Sequence, residues 1–114
     1  MENMDNIVNY KGVDYEIVFN LNVMQEIQEE FGTVEEWGNL TESGAEPNMK
    51  ALIFGLTSAI NEGIEIYNED HEDKKELLTH KQVGRLVTAV GMEEVTKKLK
   101  STVVESTESE EKNA

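Results

Sequence analysis

The segment MKALIFGLTSAINEGI, residues 49–64, decides the fold, because it is the most apolar part of the chain. Its apolar side chains recur every three or four residues, which predicts a helix with a broad buried face. Pro47 suits the first position of this helix. Gly55 and Gly63 each weaken it by about 1 kcal/mol relative to alanine, unless close packing compensates. We therefore predict a central helix against which the rest of the chain packs.

Upstream of this helix, the sequence predicts a β-hairpin. Residues 7–10 and 13–19 flank Lys11-Gly12, a turn pair whose glycine is free to adopt a positive φ. Apolar and acidic side chains alternate from residue 13 onward, which is typical of a strand with one buried face. A hairpin alone is only marginally stable, so its apolar face is expected to pack on the helices that follow.

Four further helices are predicted from capping residues and apolar stripes. The first begins at Asn20 or Asn22, and the second, a short one, begins at Thr33. The helix after the central one opens with a capping box formed by Thr79 and Gln82. The predicted spans are 20 or 22 to 31, 33 to about 40, 79–90 and 92 to about 104. Residues 68–78, between the central helix and this capping box, are strongly hydrophilic and are predicted to be a mobile loop.

The predicted fold class is α+β and mainly α, with an N-terminal β-hairpin packed on a bundle of about five helices. Residues 1–105 form a single α-rich domain, because 114 residues are too few for two independent cores. Residues 106–114 are mostly Ser, Thr, Glu and Lys and have little to bury, so we predict a disordered acidic tail.

Charge is the strongest compositional signal. Asp and Glu number 24 against 10 Lys and Arg, giving a formal net charge of −14. Such a surface repels phosphate backbones and anionic membranes, so neither nucleic acid nor a membrane is expected as a partner. The excess of carboxylates either keeps the protein soluble while it binds an aggregation-prone partner, or mimics DNA and so occupies a nucleic-acid-binding protein. The first residues lack a signal-peptide pattern and no apolar run is long enough for a membrane span, so a cytoplasmic location is expected.

No catalytic constellation is visible. The adjacent glutamate pairs fall on predicted helices, where neighbouring side chains diverge by about 100° rather than converge. Asn68 to Thr79 fails as an EF-hand, because Asp73 replaces its glycine and Thr79 its final glutamate. His71 and His80 lack further ligands at zinc spacing, and there is no cysteine. We therefore predict no enzyme activity, no cofactor, no metal and no small-molecule substrate.

The order of these elements resembles the tail assembly chaperones of long-tailed phages and prophages of Gram-positive bacteria. The motifs that carry the resemblance are VFNLNVMQEIQEEFGTVEEW at 18–37, MKALIFGL at 49–56 and LTHKQVG at 78–84. In that family a short hairpin precedes a helix that ends in an acidic-Phe-Gly step. A second short helix and a long apolar helix follow, and then a Leu-Thr-x-x-x-Val-Gly step after a variable loop. The resemblance covers about residues 5–105.

The resemblance implies a chaperone that binds the tape measure protein and helps to recruit tail tube subunits. It implies action in the cytoplasm of the bacterial host and absence from the mature virion. A longer, frameshifted form of the same protein is a further possible partner. Two other functions stay open, namely a structural tail or connector component and an acidic inhibitor that mimics DNA.

Binding a helical partner requires apolar surface in addition to that consumed by the core. Trp37, Phe54, Ile66 and Met92 are the candidates for lining such a partner-binding groove. For each of them the alternative is an ordinary place in the hydrophobic core. Trp37 is ambiguous because tryptophan serves both as a core anchor and as a common contact at interfaces.

Overall fold

The computed structural model describes residues 6–42 and 46–113, with side chains described as far as Ser106. Residues 1–5 and 43–45 of the predicted domain lie outside this description. Two strands are followed by five helices, which confirms the predicted mainly helical α+β class. The elements are β1 (Ile7–Tyr10), β2 (Val13–Glu16), α1 (Leu21–Phe31), α2 (Val34–Glu42), α3 (Met49–Asp70), α4 (His80–Val90) and α5 (Met92–Asn113).

The hairpin pairs β1 and β2 antiparallel, with Val8 opposite Tyr15. Lys11 and Gly12 both have positive φ, at 53° and 78°, as a tight turn between antiparallel strands requires. β2 ends at Glu16, three residues before the predicted end at 19. Beyond Glu16 the chain turns toward α3, where the Val18 amide donates to the Ala59 carbonyl over 3.3 Å. The prediction of strand structure to residue 19 is therefore wrong.

α3 is the centre of the fold, as predicted. It packs against β2, α1, α2 and α4. Its inward side chains, among them Leu52, Leu56 and Ile60, are completely buried. These side chains form one core with Ile17 of the hairpin exit and Val95 of α5. One hydrophobic core therefore connects the hairpin to the last helix.

Both glycines of α3 are sites of close packing. A Cβ at Gly55 would overlap the indole ring of Trp37 in α2, and a Cβ at Gly63 would overlap the Glu16 carbonyl oxygen at the end of β2. The unfavourable helix propensity of glycine is thus offset by the approach of a neighbouring element at each position. Gly55 therefore allows α2 to pack closely against α3, and Gly63 allows the hairpin to do so.

The helices begin where side chains can accept from free backbone amides. Asn20, not Asn22, caps α1 by accepting from the Val23 amide over 3.2 Å. Asn48 is the cap of α3, so Pro47 precedes the helix instead of starting it. The capping box predicted at the start of α4 is present in both directions.

Three helices are longer than predicted. α3 continues to Asp70, so residues 68–70 of the predicted loop are helical. α2 continues to Glu42 instead of ending near 40, and α5 continues to Asn113 instead of ending near 104. No Gly or Pro interrupts the chain after Gly91, and Glu and Lys are good helix formers. The tail predicted from residue 106 therefore extends the backbone of α5 through Asn113. Ser106 Oγ donates to the Phe19 carbonyl over 3.0 Å, which ties this end of α5 to the hairpin exit.

α3 and α5 have 22 residues each, which is a sufficient length for a bilayer span. Polar residues interrupt both of them. Within residues 6–42 and 46–113, no helix is both long enough and apolar enough to cross a membrane.

Candidate functional site

A groove of about 490 Å³ runs between α1 and α3 and is the main candidate for a binding site. Its walls carry five carboxylates in two rows, which are Glu26, Glu29 and Glu30 on α1, and Glu62 and Glu65 on α3. Its apolar surface comes from Val23, Phe54 and Leu77. We call this feature the acidic groove. Apolar surface between two acidic walls is suited to a partner that is both apolar and positively charged.

The two walls run antiparallel. Asn22 at the start of α1 contacts Glu62, whereas Phe31 at the end of α1 packs edge-to-face on Phe54, with ring centroids 5.4 Å apart. Between these points Ser58 Oγ donates to Glu26 Oε1. The wall from Asn22 to residue 30 rises by about 12 Å, or roughly two helical turns.

Two of the carboxylates are fixed by hydrogen bonds within the protein. Glu62 Oε2 accepts from Asn20 Nδ2 over 2.8 Å and from Asn22 Nδ2 over 3.1 Å. Glu26 accepts from Ser58 on the opposite wall. These bonds restrict the rotamers of Glu26 and Glu62, so less side-chain entropy is lost when a ligand binds them.

The other three carboxylates, Glu29, Glu30 and Glu65, are exposed to solvent. Glu30 pairs with Lys50 at 3.4 Å, and this pair is itself exposed. Glu29 and Glu65 are exposed and make no hydrogen bond or ion pair with any other described residue. Glu29 and Glu65 are therefore the two acidic side chains of the groove most available to a cationic partner.

The apolar surface of the groove is partly open. The half-buried Phe54 ring stacks on His80, with centroids 5.9 Å apart and planes at 22° to one another. Leu77 is 52% exposed at the edge of the groove. Asn61 positions the segment beside it, because its side chain exchanges hydrogen bonds of 2.9 and 2.8 Å with the Leu78 backbone.

A second, smaller groove of about 280 Å³ lies between α2 and α5. Its apolar lining comes from Val34, Trp37, Leu99, Val103 and Val104. On its rim the Lys100 ammonium pairs with the Glu42 carboxylate at 3.2 Å. The α2–α5 groove is thus more apolar than the acidic groove, and one of its two glutamates, Glu42, is already paired.

A larger depression, of about 750 Å³, lies in the angle between α4 and α5. Glu93 and Glu94 face it together with Lys97 and Lys98, and Val90 is its main apolar contributor. Charges of both signs are interspersed there. This depression has no field of one sign, so its volume alone does not make it a strong candidate.

The four residues predicted to line a partner groove do not form one surface. Phe54 lies in the acidic groove. Trp37 is a core residue with 3% exposure, and only its edge reaches the α2–α5 groove. Ile66 and Met92 are 38% and 41% exposed but are not among the lining residues of either groove.

Trp37 is held in the core by polar and aromatic contacts. Its indole Nε1 donates to the Ala51 carbonyl over 2.8 Å, and its ring stacks on Phe19 at a centroid distance of 5.9 Å. Of its two possible roles, the structure favours the core anchor. Leu77, Glu29 and Glu65 are the groove residues that the sequence does not single out. The sequence does not show that the α1 surface carrying Glu29 faces the α3 surface carrying Glu65.

The hydrophilic connection between α3 and α4 is closely hydrogen-bonded, in contrast to the predicted mobile loop. Asn68 exchanges two hydrogen bonds with the Lys75 backbone, of 3.0 and 2.9 Å. Lys75 Nζ lies 4.0 Å from the centroid of the Tyr67 ring and donates to the Asp14 carbonyl over 2.8 Å. The connection is therefore attached both to the end of α3 and to β2.

Two ionisable groups in this connection are perturbed. The Tyr67 hydroxyl donates to Asp73 Oδ2 over 3.0 Å. This hydrogen bond raises the pKa of the Tyr67 phenol, because ionisation would lose the donated proton. The same bond lowers the pKa of the Asp73 carboxyl, because the charged form accepts it. The Tyr67 ring also stacks on His71 at a centroid distance of 3.7 Å.

Within the described residues, no three Asp, Glu or His side chains are grouped so that they could hold a metal ion. The acidic groove presents distributed negative charge beside apolar surface. Comparisons of the chain with protein families, with curated proteins and with solved structures give no match.

Proposed function

We propose that this protein is a phage or prophage tail assembly chaperone. It binds the tape measure protein in the cytoplasm of the bacterial host, helps to recruit tail tube subunits, carries out no catalysis and is absent from the mature virion. The order of the motifs at 18–37, 49–56 and 78–84 supports this proposal. A longer, frameshifted form of the chain is a further partner under this proposal.

The observation that carries the proposal is the acidic groove, which combines exposed apolar surface with carboxylates on a body of net charge −14. A chaperone for a long helical protein needs apolar contacts to cover the exposed apolar face of its client. It also needs surplus charge of one sign to keep the loaded complex dispersed. Leu77 and Phe54 supply the first property, and the net charge of −14 supplies the second.

The proposal is tested by co-expressing the chain with the tape measure protein encoded beside it. The expected result is a soluble complex of the two proteins, while the tape measure protein alone aggregates. An unrelated acidic protein of similar size and charge serves as the control for a general effect of charge. Aggregation in the presence of this chain, at the level seen with the control, would contradict the proposal.

Mass spectrometry of purified virions separates a chaperone from a structural component. A chaperone is expected in the lysate and absent from the particles. Stoichiometric recovery of this chain from particles would instead identify a tail or connector component.

A second candidate function is an acidic inhibitor that mimics DNA, and the two carboxylate rows of the acidic groove favour it. Such a protein would compete with a DNA duplex for basic DNA-binding proteins, and high salt would abolish the competition. Because a mimic acts mainly through charge, Leu77→Ala is expected to leave that competition unchanged. A chaperone that covers an apolar client would lose affinity with the same substitution.

A further inference from the structure

We infer that the acidic groove is the docking site for an amphipathic helix whose apolar stripe is flanked by Lys or Arg. This inference rests on the proposed function in one respect, that the partner is a helical protein. It adds the surface that is used and the chemistry that this surface selects.

The geometry fits one helix of the partner. The groove is a valley between two antiparallel helices, and a third helix laid along such a valley packs at an interaxial distance of about 8–10 Å. The wall from Asn22 to residue 30 is about 12 Å long, which matches roughly two turns of the partner helix. Two turns present two or three side chains on one face, at i, i+3 or i+4, and i+7.

Apolar contacts anchor the partner. Leu77 is half exposed at one edge, and the Phe54 ring is fixed in position by Phe31 and His80. A large aliphatic or aromatic side chain of the partner would cover both Leu77 and Phe54. Central apolar anchors of this kind carry much of the binding energy in helix-in-groove complexes.

Charge selects which helices bind. Glu29 and Glu65 are exposed on opposite walls and have no partner among the described residues, so they are available to basic side chains. Glu26 and Glu62 are held in place between them by Ser58 and by two asparagines. An acidic amphipathic helix would meet the same carboxylates and be repelled. The α2–α5 groove is less acidic, because its lining has two glutamates, Glu35 and Glu42, and Glu42 is paired with Lys100.

The first test uses two synthetic helical peptides and the intact protein. One peptide has leucines along one face and lysines on both flanks, and the matched peptide has glutamate in place of every lysine. In two-dimensional NMR of the labelled protein, the lysine peptide is expected to shift the amide signals of residues 22–30, 54–65 and 77–80. The glutamate peptide is expected to shift none of them. Absence of binding by the lysine peptide, or shifts confined to α2 and α5, would overturn the inference.

The second test compares two double variants with equal changes in charge. Glu29→Lys with Glu65→Lys reverses both walls of the groove, whereas Glu69→Lys with Glu72→Lys reverses two exposed charges outside it. The groove variant is expected to weaken binding of the lysine peptide by about tenfold, and the control by less than about twofold. Equal weakening by both variants would show that only the overall charge matters, and would overturn the inference.

Leu77→Ala is a third test of the acidic groove, and it can be used if the double charge reversal prevents folding. The Leu77 side chain is exposed, so its loss is expected to leave the circular dichroism spectrum unchanged. The same substitution is expected to lower the affinity for the lysine peptide about fivefold. Unchanged affinity would contradict the inference.

The co-expression assay separates failure of this inference from failure of the proposed function. If the groove variant solubilises the tape measure protein as well as the natural chain does, the inference that the acidic groove is the docking site is wrong. The proposed chaperone function would still stand. If the natural chain fails to solubilise the tape measure protein in that assay, the proposed chaperone function is wrong, whether or not the groove binds the lysine peptide.

Discussion

Trp37 occupies the space that a side chain at position 55 would need. A Cβ at Gly55 would overlap the indole ring, and the indole nitrogen donates to the Ala51 carbonyl one turn earlier in α3. The glycine and the tryptophan are thus complementary, because the absence of one side chain creates the site for the other. This contact fixes α2 on the central helix and forms part of the base of the α2–α5 groove.

Gly55→Ala is therefore expected to destabilise the protein, although alanine is the better helix former. The overlap with a ring held from two sides is expected to cost about 1–3 kcal/mol, more than the gain in helix propensity of about 1 kcal/mol. Urea denaturation followed by circular dichroism measures the difference. Gly84→Ala in α4 is the matched control, because a Cβ there meets nothing within 4 Å, and it should be neutral or stabilising. If Gly55→Ala and Gly84→Ala stabilise the protein equally, position 55 is not in close contact with the Trp37 ring.

Gly63→Ala is expected to act on the hairpin. The atom in the way is the backbone carbonyl oxygen of Glu16, which cannot rotate aside as a flexible side chain can. We expect a loss of about 2 kcal/mol or more in the free energy of unfolding. Hydrogen exchange should show faster exchange of the β1 and β2 amides than of the α4 amides. Uniform acceleration across the chain would mean that the hairpin does not move separately.

Thr79→Ala tests the capping box that begins α4. The Thr79 hydroxyl accepts from the Gln82 amide over 3.1 Å, and the Gln82 side chain accepts from the Thr79 amide over 2.8 Å. Its loss is expected to cost about 1 kcal/mol of stability, measured by thermal or urea denaturation. Thr88→Ala, on the exposed side of the same helix, should change stability by less than about 0.5 kcal/mol. A similar cost for both would argue against a specific cap.

The Tyr67–Asp73 hydrogen bond gives a pH dependence with a defined sign. The Asp73 pKa is lowered from its ordinary value of 3.8, so this carboxylate stabilises the fold above that pH. Its contribution is lost as the pH falls through the lowered pKa. The Tyr67 pKa is raised from 10.0, so the neutral phenol contributes below that pH and its contribution is lost as the pH rises through the raised pKa.

NMR titration of the Asp73 carboxyl measures the first effect, and Tyr67→Phe should return its pKa toward the ordinary value. Tyr10→Phe, which removes a hydroxyl from a different part of the fold, should leave the Asp73 titration unchanged. An Asp73 pKa that is the same in the natural chain and in Tyr67→Phe would show that the hydrogen bond is not formed in solution.

Features encoded by neighbouring residues were the most predictable from the sequence. The hairpin turn follows from Lys11-Gly12, and the start of α4 follows from Thr79 and Gln82. The central helix follows from an apolar period sustained over several turns. Each depends on side chains within about four positions of one another, so the physical rule can be applied directly to the printed sequence.

Features that depend on distant residues were not predicted. The acidic groove exists because Glu62 is bonded to Asn20 and Asn22, about 40 positions earlier in the chain. The early end of β2 has a similar origin, since the Val18 amide bonds to Ala59 of α3. Trp37 was ambiguous because its burial depends on Gly55. No local pattern specifies which surfaces of two helices will face each other.

The antiparallel arrangement of α1 and α3 has a practical consequence for mapping the interaction. The two rows of carboxylates form a discontinuous epitope, since Ser58 and its partner Glu26 are 32 positions apart in sequence. No short fragment of the chain contains both rows, so an array of overlapping peptides copied from this protein would score every spot as inactive. Ligands of the groove should instead be recognised by their ability to raise the melting temperature of the intact domain, because only the native state assembles both rows.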